Sequence, residues 1–171
     1  MRPSKIMKAA SLAEIKKRLV KLEQGEMLEA CLRLARFKRD NKELLTYLLF
    51  ASSDEKAYVA SLCNEIDELF GTINKSSLYY AKIGIRKTIR WMEKFIRYSG
   101  NKETELEVRI HFCKTLRASR IPIEKSKVTS NMLRSQLKKI DKVLAKFHPD
   151  IQYEYRNEID KIVGGFKLDV R

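Results

Sequence analysis

Chain-breaking residues are scarce in this sequence: three prolines and six glycines punctuate 171 residues. With so few turn residues, and almost no alternation of apolar and polar positions, a sheet built of many short strands is excluded. The three cysteines, Cys31, Cys63 and Cys113, form an odd, widely spaced set without a CxxC pair. That excludes a disulfide scaffold and a cysteine zinc cluster. Each cysteine lies in an apolar helical pattern, so the three read as buried free thiols of a protein kept in a reducing cytoplasm. Long hydrophobic runs are missing too. The longest, LLTYLLFA from Leu44 to Ala51, falls well short of the ~20 residues a membrane span needs. The basic, amphipathic N-terminus MRPSKIMKAASLAEIKKRL lacks the continuous apolar region and cleavage site of a secretory signal, and reads as the start of the fold. Acidic residues are the last shortage: 22 Asp and Glu against 36 Lys and Arg leave a net charge of +14. Such a field attracts nucleic acid, anionic lipid or acidic protein.

What the chain does have is helical periodicity, with apolar residues returning every three or four positions nearly throughout. This predicts an all-α protein of about eight helices with an ordinary core. A first helix is expected from Lys5 to Leu22, with a capping box at Ser11 and Glu14 inside it, and a break at Gly25. The next helix directs Met27, Leu28, Cys31, Leu34 and Ala35 toward the core, and Asp40 to Glu43 opens a short one through Phe50. Ser53 and Asp54 cap a helix bearing Tyr58, Val59, Leu62, Ile66, Leu69 and Phe70, with Gly71 as a left-handed C-cap. A long helix begins at Asn74 or Ser76 and ends at Gly100, and Asn101 starts another whose Glu103, Glu105 and Glu107 suit its positive end and Arg117 and Arg120 its negative end. Arg120 to Ser126 is the candidate linker. Two helices follow, from Thr129 to Phe147 and from Asp150 to Val163, giving a single domain over residues 1–163 and a short tail over 164–171.

These segments pair as four antiparallel hairpins starting near residues 5, 41, 76 and 130. In that pattern the chain resembles the armadillo and HEAT class of helical hairpins, and looks like small uncharacterised all-helical bacterial proteins built that way. The resemblance implies either a right-handed stack of hairpins or an irregular bundle, used as a scaffold or binding surface.

The charge layout is uneven. Residues 75–98 carry seven basic and one acidic side chain, and residues 1–22 likewise, whereas residues 54–70 carry one basic and five acidic. On a helical wheel Lys82, Arg86, Arg90, Lys94 and Arg97 fall with Lys75 and Lys87 in an arc of roughly 140°, interrupted by Glu93, Tyr79 and Ile83. Tyr79 and Ile83 inside the arc point to partial burial of that face. Tyr80, Trp91 and Tyr98 line one border, where a ring buries an edge and leaves a face for stacking. Arg134, Lys138, Lys142 and Lys146 repeat the four-residue step, about 6 Å of rise each time, close to the phosphate repeat of a nucleic-acid strand. Two readings stand side by side: a polyanion surface, or a solvated helix face partly paired with Glu65, Asp67 and Glu68.

Phe147-His148-Pro149-Asp150 resembles the His-Pro-Asp signature of J-domain co-chaperones, with Lys138, Lys142 and Lys146 on a basic face and Ile140, Val143 and Phe147 at core positions. The resemblance implies that His148, Pro149 and Asp150 form a tip that stimulates a partner ATPase. No Tyr-Tyr-x-x-Leu-Gly helix precedes it closely, however, and an acidic helix follows directly. The same residues serve equally to close one helix and open the next with Pro149 in its first turn. Glu107 and His111, four apart on one helix, have the spacing of a metal-ligand pair or an oriented base, or of a surface ion pair. No HExxH, P-loop or dinucleotide fingerprint is present. The expectation is therefore a cytoplasmic, non-enzymatic helical protein with no cofactor, binding DNA, RNA or another polyanion. The alternatives are a scaffold for an acidic protein partner or for self-association, and the co-chaperone role.

Overall fold

The computed structural model describes residues 8–164, and the expected helical start at Lys5 and all of the tail beyond Gly164 lie outside them. Among the described residues every regular element is helical: eight α-helices, one π-helical turn and one 3-10 turn. The chain forms two compact units, dividing after Thr46, within the stretch expected to be a single domain.

The first unit holds α1 (Leu12–Leu19), α2 (Gln24–Phe37) and α3 (Arg39–Thr46). Ser11 and Glu14 form the expected capping box on α1. The chain breaks before Gly25 rather than at it: Glu23 and Glu26 make a second reciprocal cap, and Gly25 lies in the first turn of α2. A glycine near a helix N-terminus costs less than one in the interior, and the preceding cap decides where the helix begins. The Asn41 side-chain amide donates to the Leu34 carbonyl at 2.9 Å, joining α2 to α3. The expectation that α2 feeds a core fails. No side chain of α1, α2 or α3 is buried, and Leu28 is 60% and Phe37 78% exposed. Within the first unit Cys31 and Ala35 are half-buried, and Met27, Leu28 and Leu34 of the expected face are exposed.

The second unit begins with the π-helical turn Tyr47–Ala51, followed by α4 (Glu55–Gly71), α5 (Leu78–Ser99), α6 (Lys102–Ala118), the 3-10 turn Ile123–Lys125, α7 (Lys127–Leu144) and α8 (Pro149–Val163). Asp54 accepts from the Ala57 amide to cap α4. Gly71 is not left-handed: the helix continues through it and ends on Thr72. Ser77, one residue beyond the expected start, caps α5, and Gly100 ends that helix at φ +65°, where a side chain would be strained. Asn101 then caps α6 by accepting from the Glu103 amide.

Side-chain contacts show which way each helix runs. Glu55 on α4 accepts from Ser99 at the end of α5 (2.9 Å), and Tyr58 donates to the Phe95 carbonyl (3.1 Å), so α4 and α5 are antiparallel. Along α6, Thr104 meets Glu55 while His111 and Thr115 meet Asp67, which makes α4 and α6 parallel. Tyr155, Glu158 and Gly164 of α8 meet Glu107, Lys114 and Arg117 in order, so α8 also runs with α6. Mid-helix contact between Arg109 and Gln136, across a short connection, turns α7 back against α6. Two layers result: α4, α6 and α8 run one way, α5 and α7 the other. The consecutive antiparallel pairs in closest packing are α4 with α5 and α6 with α7, while α5 and α6, the hairpin expected to start near residue 76, also run antiparallel and touch.

Helix α6 is the hub, packing against α4, α5, α7 and α8. It buries Leu106, Val108, Ile110, Phe112, Cys113 and Leu116, and the Phe112 ring lies 5.5 Å from that of Phe70. The expected linker after α6 is packed instead, because Ile121 and Ile123 are buried and Thr129 and Ser130 both donate to the Ile123 carbonyl. Cys113 is buried, whereas Cys31 and Cys63 are only half-buried.

The two units should respond differently to truncation. Phe112→Ala should lower stability by about 3–5 kcal/mol, while Leu28→Ala should stay within about 0.5 kcal/mol of wild type. Urea unfolding followed by circular dichroism measures both.

Candidate polyanion interface

Arg109 comes from α6, on the core line four residues before Cys113, and its residue is only 3% exposed. A guanidinium at that depth costs several kcal/mol unless it is paired. Its partners come from three helices. Nη1 and Nη2 grip Glu93 of α5 at 2.8 and 3.0 Å, Nε reaches Glu105 at 2.8 Å, and Nη1 donates to the Gln136 side-chain oxygen of α7 at 2.6 Å. Lys139 of α7 closes the cluster on Glu93 at 2.5 Å. Burial alone would raise the Glu93 pKa, but hydrogen bonds from Arg109 and Lys139 outweigh it and hold the carboxyl down at about 2. For Arg109, desolvation favours the neutral form and the two carboxylates more than offset it, leaving the pKa above its ordinary value.

The cluster sets the geometry of the surface. Arg109 rises from the α4–α6–α8 layer between α5 and α7, so the face of α5 bearing Glu93 and the face of α7 bearing Lys139 stand side by side. Arg86, Arg90 and Arg97 lie one or two turns from Glu93 on α5, all exposed, and Lys82 on the same side is half-buried. Lys142 lies one turn from Lys139 on α7. Lys138 and Lys142 are exposed, Arg134 is half-buried, and with Asn131, Ser135 and Lys139 they line an open hollow of about 500 Å³. Lys146 is exposed beyond the end of α7. Among the described residues no carboxylate pairs with Lys82, Arg86, Arg90 or Arg97. The expected pairing of the stripe with Asp67 is replaced by that carboxylate's contacts to His111 and Thr115, both at 2.9 Å.

Two residues inside the stripe differ from expectation. Tyr79 is 63% and Ile83 46% exposed, so the basic face is not partly buried there. Ile83, Arg86, Ile89 and Arg90 line a second open hollow of about 400 Å³. The aromatic border lies on the other side of α5 from Glu93. Trp91 packs on the core with its ring 4.6 Å from Phe95, Tyr98 meets Phe95 edge-on at 5.4 Å, and Lys94 sits 5.1 Å over the Phe95 ring. Tyr80, also exposed, sets its ring edge-on to Tyr79 at 5.4 Å.

Charge is divided between the layers. Helices α5 and α7 carry eleven basic and two acidic side chains, whereas α4, α6 and α8 carry seven basic and eleven acidic. The Tyr155 hydroxyl reports the negative side: desolvation, with the charges of Glu107, Glu103 and Glu158, pushes its pKa up to about 12. His111 pairs with Asp67 and Glu107 accepts from Tyr155, and among the described residues no group of three or more His, Cys, Asp or Glu side chains is arranged to hold a metal. Cys63 beside them is no activated thiol, because burial and then the Asp67 charge raise its pKa to about 11. His148 caps α8, with its ring nitrogen accepting from the Asp150 amide at 3.5 Å and Pro149 in the first turn.

Comparison with protein-family models, with characterised proteins and with solved structures finds no match. No described helix is long and apolar enough to cross a membrane.

The residues that organise the site, Arg109, Gln136 and Lys139, were absent from the sequence-derived set, and Glu93 stood there only as an interruption. A usable signal existed: an arginine on the apolar line of Leu106 and Cys113 must find carboxylates, and Glu93 is the single acid of the stripe.

Glu93→Gln should cost about 3–5 kcal/mol at neutral pH by leaving Arg109 underpaired. Because the folded-state pKa of Glu93 is depressed, its contribution is complete above the ordinary carboxylate pKa and is lost as pH falls toward about 2. Wild type and variant should therefore converge in stability between pH ~5 and ~2, as read by thermal unfolding across that range.

Proposed function

We propose that this protein is a non-enzymatic binding protein whose α5–α7 face holds nucleic acid through its phosphates. The observation that carries this reading is the Glu93–Arg109–Gln136–Lys139 cluster, which joins two cationic helices into one surface. Here the cations of α5 and α7 contribute to one field, while the acidic side chains gather on α4, α6 and α8. Arg86, Arg90, Arg97, Lys138 and Lys142 make the phosphate contacts, which position a strand without reading its sequence. The alternation of layers supports a short helical-hairpin stack of armadillo or HEAT type, and the free thiols support a reducing, cytoplasmic setting.

A second reading draws on the same division of charge. Opposite faces of opposite sign favour an acidic protein partner, or a head-to-tail contact in which the basic face of one copy meets the acidic face of another.

Fluorescence anisotropy of labelled DNA and RNA against salt tests the first reading. Wild type should bind at micromolar concentration or better, with log affinity falling, for each tenfold rise in salt, by about 0.9 per phosphate neutralised on duplex DNA. Arg86→Glu/Arg90→Glu should weaken binding at least about tenfold and reduce the slope by about 2. Absence of binding near physiological salt, with a sedimentation coefficient that changes in the same variant, would replace this reading with self-association.

A further inference from the structure

We infer that the α5 surface selects single-stranded nucleic acid, with Tyr79 and the Ile83–Ile89 hollow as seats for unstacked bases beside the phosphate-binding arginines. This inference rests on the proposed nucleic-acid reading and sharpens it. The line Tyr79, Ile83, Arg86, Arg90, Arg97 follows one face of α5, so an exposed isoleucine stands one and two turns from two exposed guanidiniums, and an exposed aromatic ring stands one turn before the isoleucine, two from Arg86 and three from Arg90. The hollow at that point is mixed by construction: Ile83 and Ile89 supply apolar wall, Arg86 and Arg90 the charge.

Duplex and single strand ask for different surfaces. A duplex offers phosphates on the outside and keeps its bases stacked within, so an exposed tyrosine and isoleucine among the cations gain nothing from it and lose hydration. A single strand offers both a charged backbone and free base faces, and the sites that hold it combine basic residues with aromatic platforms. Tyr79 is prepared for that use. Its ring is held edge-on by Tyr80 at 5.4 Å, which limits the freedom lost when a base stacks on it. Arginine side chains also stack on bases, so Arg86 and Arg90 serve the base as well as the phosphate. An acidic peptide would use the same cations but has no requirement for a flat ring beside them.

The experiment compares a labelled oligo-dT with a duplex of equal length near physiological salt, using wild type, Tyr79→Ala, Tyr79→Trp and Arg86→Glu/Arg90→Glu. The expected result is tighter binding of oligo-dT than of duplex by wild type. Tyr79→Ala should lose about tenfold on the single strand, with an unchanged salt slope and little change on duplex, and Tyr79→Trp should restore the affinity. Arg86→Glu/Arg90→Glu should weaken both ligands. Equal or tighter binding of duplex, or a Tyr79→Ala variant that binds oligo-dT as wild type does, overturns the inference and leaves the basic-face reading standing. Failure of wild type to bind either ligand overturns both. Circular dichroism of Tyr79→Ala, whose replaced side chain is exposed, separates lost binding from lost folding.

Discussion

One buried guanidinium constrains the larger unit more than any single apolar contact. Apolar packing around Phe112, Leu106 and Leu116 stabilises a set of related arrangements, because hydrophobic contact has no direction. Arg109 does have one. Its fork fits Glu93 with two parallel bonds, its Nε faces Glu105, and the remaining capacity meets Gln136. Moving α5 or α7 by a turn would strand a charge in the interior, so the register of three helices is specified by the cost of getting it wrong. A second polar knot works alike at one end of the unit, where the Glu55 carboxylate accepts from Tyr47, Ser99 and Thr104 and ties the π-helical turn, α4, α5 and α6 together.

The same cluster explains how a cationic surface is tolerated. Eleven basic side chains on two adjacent helices repel one another. Glu93 lies where the two helices meet, bonded to both Arg109 and Lys139. A carboxylate at that seam bridges α6 and α7 to α5, while among the described residues no carboxylate pairs with Arg86, Arg90 or Arg97, which keep their field. Stability and surface potential are thus shared between one acid and two bases rather than assigned to separate parts of the molecule.

Much of this was legible in the sequence. The helical class follows from spacing alone, and the caps at Ser11, Asp54, Asn101 and Gly100 follow from side-chain chemistry acting over a few residues. What local pattern does not encode is what covers a face. Met27, Leu28 and Leu34 of α2 have the right period yet are exposed, and Tyr79 and Ile83, which their neighbours suggested were half-hidden, stand in the open. Gly25 and Gly71 misled for a related reason: glycine permits a break without requiring one, and each lies inside its helix at the end, Gly25 in the first turn of α2 and Gly71 as the last residue of α4. The pairing of helices was the least legible. Short connections suggest successive neighbours, yet α4 packs directly on α6, two elements further along the chain. The basic stripes were visible as helix faces, but their meeting on one surface depends on Arg109, a contact between residues 16 and 27 positions apart.

The direction of the helices gives the α5–α7 layer a property beyond its charge. Both run the same way, so their peptide dipoles add, and the partial positive charges of two N-termini lie at the end that begins with Ser77 and Ser126. Arg97 and Lys142 occupy the last turns at the opposite end, where they offset the partial negative charges of the C-termini. The surface therefore has a head and a tail. Any elongated charged ligand laid along that layer would meet a potential that differs from one end to the other.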